Sequence, residues 1–168
     1  FAGADQNYKV TVAQLEAART PKSKILLFVS PSNPTGSVYT RDEVEAIGQW
    51  AWENGLWVIT DEIYQNLVYE GARAVSIVEA VPDAADQTIL VNGVAKTYAM
   101  TGWRVGYCGG PRPLIEQMLK VQSQISSGIC TITCCSLSVA GILRGSDTVS
   151  MNPGTETRAR RFFLSNSN

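Results

Sequence analysis

The sequence of 168 residues predicts an α/β fold in which a mostly parallel sheet carries helices on both faces. Three features of the sequence favour this class. Short apolar runs alternate along the chain with longer amphipathic segments. The apolar runs lack the polar alternation of a half-exposed strand, which is typical of strands buried on both faces of a parallel sheet. Several of them end in Pro, Gly or polar residues, at the edge where open α/β sheets bind ligands.

The first half of the chain is predicted to alternate between helix and strand twice. The first helix begins with the capping box Thr11-x-x-Gln14, in which side chains satisfy free backbone N–H groups. The second helix begins with the equivalent box Thr40-x-x-Glu43. In chain order, the predicted elements are a helix over residues 11–19, a strand over 24–30, a helix over 40–53 and a strand over 57–61.

The second half is predicted to contain a loop-rich segment, two strands and two helices. The first of these helices is predicted to be amphipathic, with four apolar residues on one face: Leu114, Met118, Val121 and Ile125. In chain order, the elements are a polar segment with one helical turn over residues 71–86, strands over 88–92 and 105–109, and helices over 113–126 and 132–143.

The composition argues against several functional classes. The formal net charge is −1, from 14 Lys and Arg against 15 Asp and Glu, so there is no electrostatic reason to expect nucleic-acid or membrane binding. No apolar run approaches the roughly 20 residues of a membrane span, and no signal peptide is visible. The chain has no histidine, which excludes His-based triads and His metal sites within it.

The cysteines are predicted to be reduced, mostly buried thiols, which points to a cytoplasmic protein without a metal site. None of them has the paired C-x-x-C spacing of a zinc site. The four residues are Cys108, Cys130, Cys134 and Cys135.

The segment from residue 92 to residue 107 carries the strongest chemical signal. Lys96 is flanked by small and apolar residues, and desolvation would favour its neutral amine, the form that attacks a carbonyl to make a Schiff base. Arg104 follows eight residues later and can hold a phosphate. A lysine with an anion-binding arginine suggests a phosphorylated aldehyde cofactor, pyridoxal phosphate. The alternative is a solvated surface lysine and an arginine that forms an ion pair.

Two further strand ends carry polar side chains. Asn33 lies in a Pro- and Gly-rich turn after the apolar run 25–29, and the Asn33–Pro34 bond is a plausible cis peptide. Asp61 ends the second strand and Tyr64 follows three residues later. A buried carboxylate needs a partner, which a protonated pyridine nitrogen would supply, and Tyr64 could donate to the ring oxygen. The alternatives are an ordinary strand-to-helix turn and an aspartate that caps the next turn.

Taken together, these motifs resemble those of the fold-type I pyridoxal-phosphate aminotransferases. The resemblance is closest to the aspartate aminotransferase subgroup of class I and II, and it spans about residues 24–143. The motifs that carry it are Ser32-Asn33-Pro34-Thr35-Gly36, Asp61-Glu62-Ile63-Tyr64 and the run from Lys96 to Tyr107.

The resemblance implies a role for each matching residue. Lys96 is similar to the Schiff-base lysine, which also carries the proton between the substrate α-carbon and the cofactor C4′. Asp61 is similar to the aspartate that keeps the pyridine nitrogen protonated. Asn33 and Tyr64 are similar to the pair that binds the phenolic oxygen of the cofactor. Arg104 is similar to a phosphate ligand.

Two positions depart from the pattern of many relatives. Gly93 and Ala95 stand where those relatives have serine, and the serine at the first position binds the phosphate. The resemblance also implies a division of the chain. Residues 1–144 would form the central part of the cofactor-binding large domain, truncated, and residues 145–168 a poorly matching tail.

The function implied by the resemblance is transfer of an amino group between an amino acid such as aspartate and a 2-oxo acid. The implied cofactor is pyridoxal phosphate, and the complete protein would be a homodimer. Because the same lysine and aspartate serve other reactions of the cofactor, a carbon–sulfur β-lyase is an alternative. A non-catalytic fragment is a second alternative.

Overall fold

The computed structural model of the chain describes residues 2–69 and 71–125 and the backbone of residues 162–165. Within these residues, the regular structure consists of five strands, four α-helices and three short 3-10 helices. The strands are β1 (Ile25–Val29), β2 (Trp57–Asp61), β3 (Thr88–Gly93), β4 (Val105–Gly109) and β5 (Phe162–Ser165). The α-helices are α1 (Val12–Ala18), α2 (Arg41–Glu53), α3 (Ile77–Ala80) and α4 (Arg112–Ile125). The 3-10 helices are Ala4–Gln6, Pro82–Gln87 and Thr101–Trp103.

The five strands form one mixed sheet in the order β1-β2-β3-β4-β5. β1 pairs with β2, and β2 with β3, in parallel, whereas β3–β4 and β4–β5 are antiparallel. In the parallel part, Asp61 is in register with Val29 on one side and with Val91 on the other. The carboxyl ends of three adjacent strands therefore meet at one edge, and the predicted α/β class is confirmed.

One face of the parallel strands carries the main hydrophobic core. Phe28 of β1 and Val58 of β2 belong to a buried cluster that also contains Val44 and Ile47 of α2. Ile77 at the start of α3 completes this layer and is fully buried. α2 and α3 thus cover the sheet on this side and hold β1 and β2 in place below the edge where the strands end.

The opposite face of β1 differs from the sequence-based expectation. Ile25 and Leu27 were expected to be buried on a strand covered on both faces, but they are 59% and 67% exposed. Trp57, in register with Ile25 on β2, is also exposed. The difference arises because none of the described residues packs over this part of the sheet.

The helix starts agree well with the sequence. Thr11 and Thr40 both form complete capping boxes, with Gln14 and Glu43 respectively. The single helical turn expected over residues 71–86 is α3, and it is followed by the 3-10 helix Pro82–Gln87.

The last part of the chain is only partly described. β5 falls in the segment predicted to be a tail, and it adds a strand that the sequence did not predict. The predicted helix over 132–143 and three of the cysteines, Cys130, Cys134 and Cys135, lie outside the described residues. Among the helices that are described, none has the length and apolar character required to cross a membrane.

Candidate functional site

Four of the five side chains predicted to form the site lie at or just after the carboxyl ends of three adjacent parallel strands. Asn33 lies in the turn after β1, and the Asn33–Pro34 peptide is cis as the sequence suggests. Asp61 is the last residue of β2, and Tyr64 lies in the turn that follows it. Lys96 lies in the turn after β3. Parallel strands bring their carboxyl ends to a common edge, which explains why residues so far apart in sequence can meet.

Asn33 and Tyr64 are in direct contact. The Asn33 Nδ2 atom donates a hydrogen bond to the Tyr64 hydroxyl oxygen at 3.2 Å. Because the hydroxyl oxygen accepts this bond, its own proton remains available for a further acceptor. The contact joins the turns after β1 and β2, which are 31 residues apart in sequence.

Lys96 lies beside the same tyrosine. Its Nζ atom is 5.5 Å from the centroid of the Tyr64 ring, within the range of a cation–π interaction. The side chain is half-buried. Within residues 2–69 and 71–125, no carboxylate forms an ion pair with Lys96. The alternative of an entirely solvated surface lysine does not describe this environment.

Asp61 is half-buried, and one of its carboxylate oxygens is already used. The Oδ1 atom accepts a hydrogen bond from the Ile63 backbone N–H at 3.0 Å. This hydrogen bond confirms that Asp61 caps the next turn, which was the alternative interpretation of the sequence. This bond also fixes the orientation of the carboxylate at the strand end, where it could face a cationic ligand.

Arg104 is the fifth residue predicted to belong to the site. It is exposed, with a left-handed backbone at φ 52°, between the 3-10 helix Thr101–Trp103 and β4. Its Nη1 atom donates to the backbone oxygen of Thr101 at 3.2 Å. No described hydrogen bond joins Arg104 to Asn33, Asp61, Tyr64 or Lys96, so its proposed role toward a phosphate stays a prediction.

Gly93 occupies a position that has no room for a side chain. A Cβ atom built there would lie 2.7 Å from the backbone oxygen of Val105 and 3.0 Å from Cδ1 of Ile63. The first distance is shorter than real Cβ atoms show, and its partner is backbone. The close approach of β3 to β4 therefore leaves no room in this chain for the serine that many relatives have here.

Two polar contacts near the site were not predicted from the sequence. Asn66 Nδ2 donates to Thr97 Oγ1 at 3.3 Å, which ties the turn of Tyr64 to the turn of Lys96. Glu62 is 3% exposed and accepts hydrogen bonds from two hydroxyl groups. The available sequence signal for Glu62 was a second carboxylate directly after an apolar strand, although its partner Ser76 could not be identified that way.

Burial affects the charge state of Glu62. Loss of solvent raises the pKa of the Glu62 carboxyl, and the charges of Glu79 and Asp61 act in the same direction. The hydrogen bonds from Ser76 and Thr60 oppose this effect but do not cancel it. A carboxyl with a raised pKa that lies beside a candidate site is itself a candidate for a functional or structural role.

Comparison with known proteins gives a consistent result. The family model described as aminotransferase class I and II matches residues 3–165. The chain is 60% identical over 122 residues to an aspartate aminotransferase of Streptomyces avermitilis, a match covering 73% of this chain and 30% of that protein. It is 40% identical over 166 residues to an aspartate/prephenate aminotransferase of Nitrosomonas europaea, covering 98% of this chain and 41% of that protein.

The fold is also similar to that of a solved relative. The crystal structure of the aspartate aminotransferase from Rhizobium meliloti superposes with a TM-score of 0.78 at 39% sequence identity. This match covers 83% of the present chain and 35% of that protein. The chain thus spans 30% to 41% of the length of these relatives.

Proposed function

The chain belongs to the aminotransferase class I and II family, and from this premise we propose that it forms part of a pyridoxal-phosphate-dependent aminotransferase. The enzyme transfers an amino group between an amino acid such as aspartate and a 2-oxo acid. Aspartate is named for the relatives from Streptomyces avermitilis and Nitrosomonas europaea, and the second name also includes prephenate. The observation that carries the proposal is the meeting of Asn33, Tyr64 and Lys96 at the sheet edge.

The donor set at this edge fits pyridoxal phosphate. The cofactor has an aldehyde, a ring oxygen, a ring nitrogen and a phosphate, and the chain offers a group of suitable chemistry for each. Lys96 supplies an amine, Asp61 a carboxylate, Asn33 and Tyr64 a hydrogen-bonding pair, and Arg104 a guanidinium. When bound, the cofactor supplies an electron sink for the bond broken at the substrate α-carbon.

Lys96 has two tasks in this proposal. Its amine would hold the cofactor through the aldehyde. With substrate bound, the same amine would act as the base and acid that moves a proton at the substrate α-carbon. The ring of Tyr64, 5.5 Å from Nζ, limits where the amine can move.

Asp61, Asn33 and Tyr64 bind the ring. The negative charge of Asp61 favours a proton on the ring nitrogen, and the bond from Ile63 keeps that carboxylate in one orientation. Tyr64 accepts from Asn33 and can donate its own proton to the ring oxygen. Because each group is oriented before the ligand arrives, little reorganisation is needed on binding.

The complete enzyme is proposed to be a cytoplasmic homodimer. Tyr69 and Tyr98 are 79% and 50% exposed in this part of the protein, and exposed aromatics of this kind favour an interface, with the rest of the chain or with a second subunit. Cys108 is a buried free thiol, which suits a reducing compartment.

The proposal is tested by the absorption spectrum of the complete protein that contains this chain. Adding pyridoxal phosphate should produce a visible band. Aspartate should bleach this band and 2-oxoglutarate should restore it, because transamination runs as two half-reactions. A band that no amino acid changes would contradict the proposal. Release of a thiol, ammonium and a 2-oxo acid from a substrate with sulfur on its β-carbon would indicate the β-lyase instead.

A further inference from the structure

A buried carboxylate lies between two residues of the proposed site. Glu62 directly follows Asp61 and precedes Tyr64 by two positions. A buried carboxylate is costly unless it is hydrogen-bonded. Its Oε1 atom accepts from Ser76 Oγ at 2.6 Å and from Thr60 Oγ1 at 3.2 Å. None of these three side chains takes part in the chemistry described above.

The backbone of Glu62 is fixed from two directions. Its N–H donates to the Val91 carbonyl of β3 at 2.9 Å, which extends the parallel ladder by one residue. Its carbonyl accepts from the Gln65 N–H at 2.9 Å, which closes the turn that contains Tyr64. Residue 62 is therefore the point at which the sheet becomes the turn.

The contact with Ser76 connects this point to a separate element. Ser76 is the N-cap residue of α3, yet its side chain makes no capping bond. Its hydroxyl is donated to Glu62 instead, across 14 positions of sequence. Ile77, the next residue, is fully buried in the core beside α2. The turn is thus attached through Glu62 and Ser76 to the start of α3, where the chain enters the main hydrophobic core.

The side chains of Glu62 and Asp61 leave the strand on opposite sides. Thr60 and Glu62 are two residues apart and hydrogen-bonded, so they lie on the same side of the strand, the side covered by α2 and α3. Asp61, between them, leaves the strand on the opposite side. Glu62 can hold the backbone in position without touching a ligand bound by Asp61.

We propose that Glu62 is a positioning residue, which holds Asp61 and the turn bearing Tyr64 in their ligand-binding geometry by hydrogen-bonding to Ser76. This inference rests on the proposed function for what these residues bind. It requires that loss of the Glu62–Ser76 bond moves Tyr64, although no described side-chain hydrogen bond joins either residue to Tyr64.

The test uses three variants of the complete protein. Ser76→Ala removes the hydroxyl group that donates to Glu62 but leaves the carboxylate. Glu62→Gln removes the charge but keeps an oxygen that can accept from Ser76 and Thr60. Thr88→Val is the matched control, because Thr88 is a buried hydroxyl residue that also donates one bond, to the Ala84 carbonyl at 2.8 Å, at the opposite end of the sheet. Two quantities are measured: the NMR signal of the Tyr64 ring in the cofactor-free protein, assigned with Tyr64→Phe, and the dissociation constant for pyridoxal phosphate.

We expect Ser76→Ala to shift the Tyr64 signal and to weaken cofactor binding by up to about tenfold, the effect of losing one partly buried hydrogen bond. Glu62→Gln should leave the signal near its wild-type position. Thr88→Val should lower the denaturation midpoint without changing either quantity. The inference would be overturned if Ser76→Ala behaved like Thr88→Val, with lower stability but an unchanged signal and affinity.

The same measurements distinguish failure of the proposed function from failure of the inference about Glu62. A wild-type protein that bound no pyridoxal phosphate would refute the function itself. The Tyr64 signal of the cofactor-free protein would still decide whether Ser76 anchors the turn.

Discussion

Asp61 makes a bond that is consistent with two different roles. Its Oδ1 atom caps the turn by accepting from Ile63, and its charge is proposed to act on the ring nitrogen of the cofactor. The two roles are separable because asparagine keeps the Oδ1 acceptor but has no charge.

We therefore expect Asp61→Asn and Asp61→Ala to lower kcat alike, by several orders of magnitude, in the complete enzyme. Loss of the charge weakens the transition state more than it weakens binding of the cofactor, so cofactor binding should survive. Steady-state kinetics and cofactor titration measure both effects. If Asp61→Asn kept near-normal turnover, the carboxylate would be a turn cap alone.

Gly93 is constrained by steric contact. A methyl group at this position must displace the Val105 carbonyl of β4 or the side chain of Ile63. We expect Gly93→Ala to reduce the free energy of unfolding by about 1–3 kcal/mol, as overpacking usually does.

The control for this prediction is Gly102→Ala. A Cβ atom at Gly102 would meet nothing within 4 Å, and the residue has no positive φ. Its substitution should change the free energy of unfolding by no more than about 0.5 kcal/mol. Equal denaturation midpoints for the two variants would show that β3 and β4 do not approach as closely as described.

At the level of elements, α1 is joined to α2 by a carboxylate. Glu16 of α1 accepts from Trp50 Nε1 of α2 at 2.9 Å, and from Arg19 at 2.7 and 2.9 Å. The hydrogen bonds from Arg19 and then Trp50 lower the pKa of Glu16 from 4.5 to about 2. A carboxyl with a lowered pKa stabilises the fold when ionised, and this contribution is lost as the pH falls through its folded value.

We expect the free energy of unfolding to fall less steeply in Glu16→Gln than in the wild type between pH 4.5 and about 2. Above this range the wild type should be the more stable protein. The difference in free energy of unfolding between the two proteins should shrink in high salt, because the Glu16–Arg19 ion pair is exposed. Urea titrations at several pH values measure it, and identical slopes would mean that Glu16 contributes nothing to the docking of α1.

The elements also show which structure can be predicted from sequence. The capping boxes at Thr11 and Thr40 are correct because a cap depends on residues three positions apart. Burial of Leu27 was predicted wrongly, because an apolar run does not reveal whether anything packs against it. β5 was missed because its pairing with β4 joins residues more than 50 positions apart.

At the level of the whole molecule, the site follows from the topology of the sheet. Two parallel pairings bring the turns after β1, β2 and β3 to one edge, and this alone makes the contact of Asn33 with Tyr64 and the approach of Lys96 possible. The motifs predicted these residues because each follows a recognisable strand. They could not predict Ser76, whose contact with Glu62 depends on how α3 packs against the sheet.

The proposed roles of the other site residues all depend on Lys96 being the residue that holds the cofactor. The test is to add pyridoxal phosphate to the complete protein, reduce with borohydride, digest, and map the labelled peptide. The label should be found on Lys96 and should disappear in Lys96→Ala. A label on an exposed lysine such as Lys22, Lys24 or Lys120, or an undiminished label in Lys96→Ala, would contradict the account.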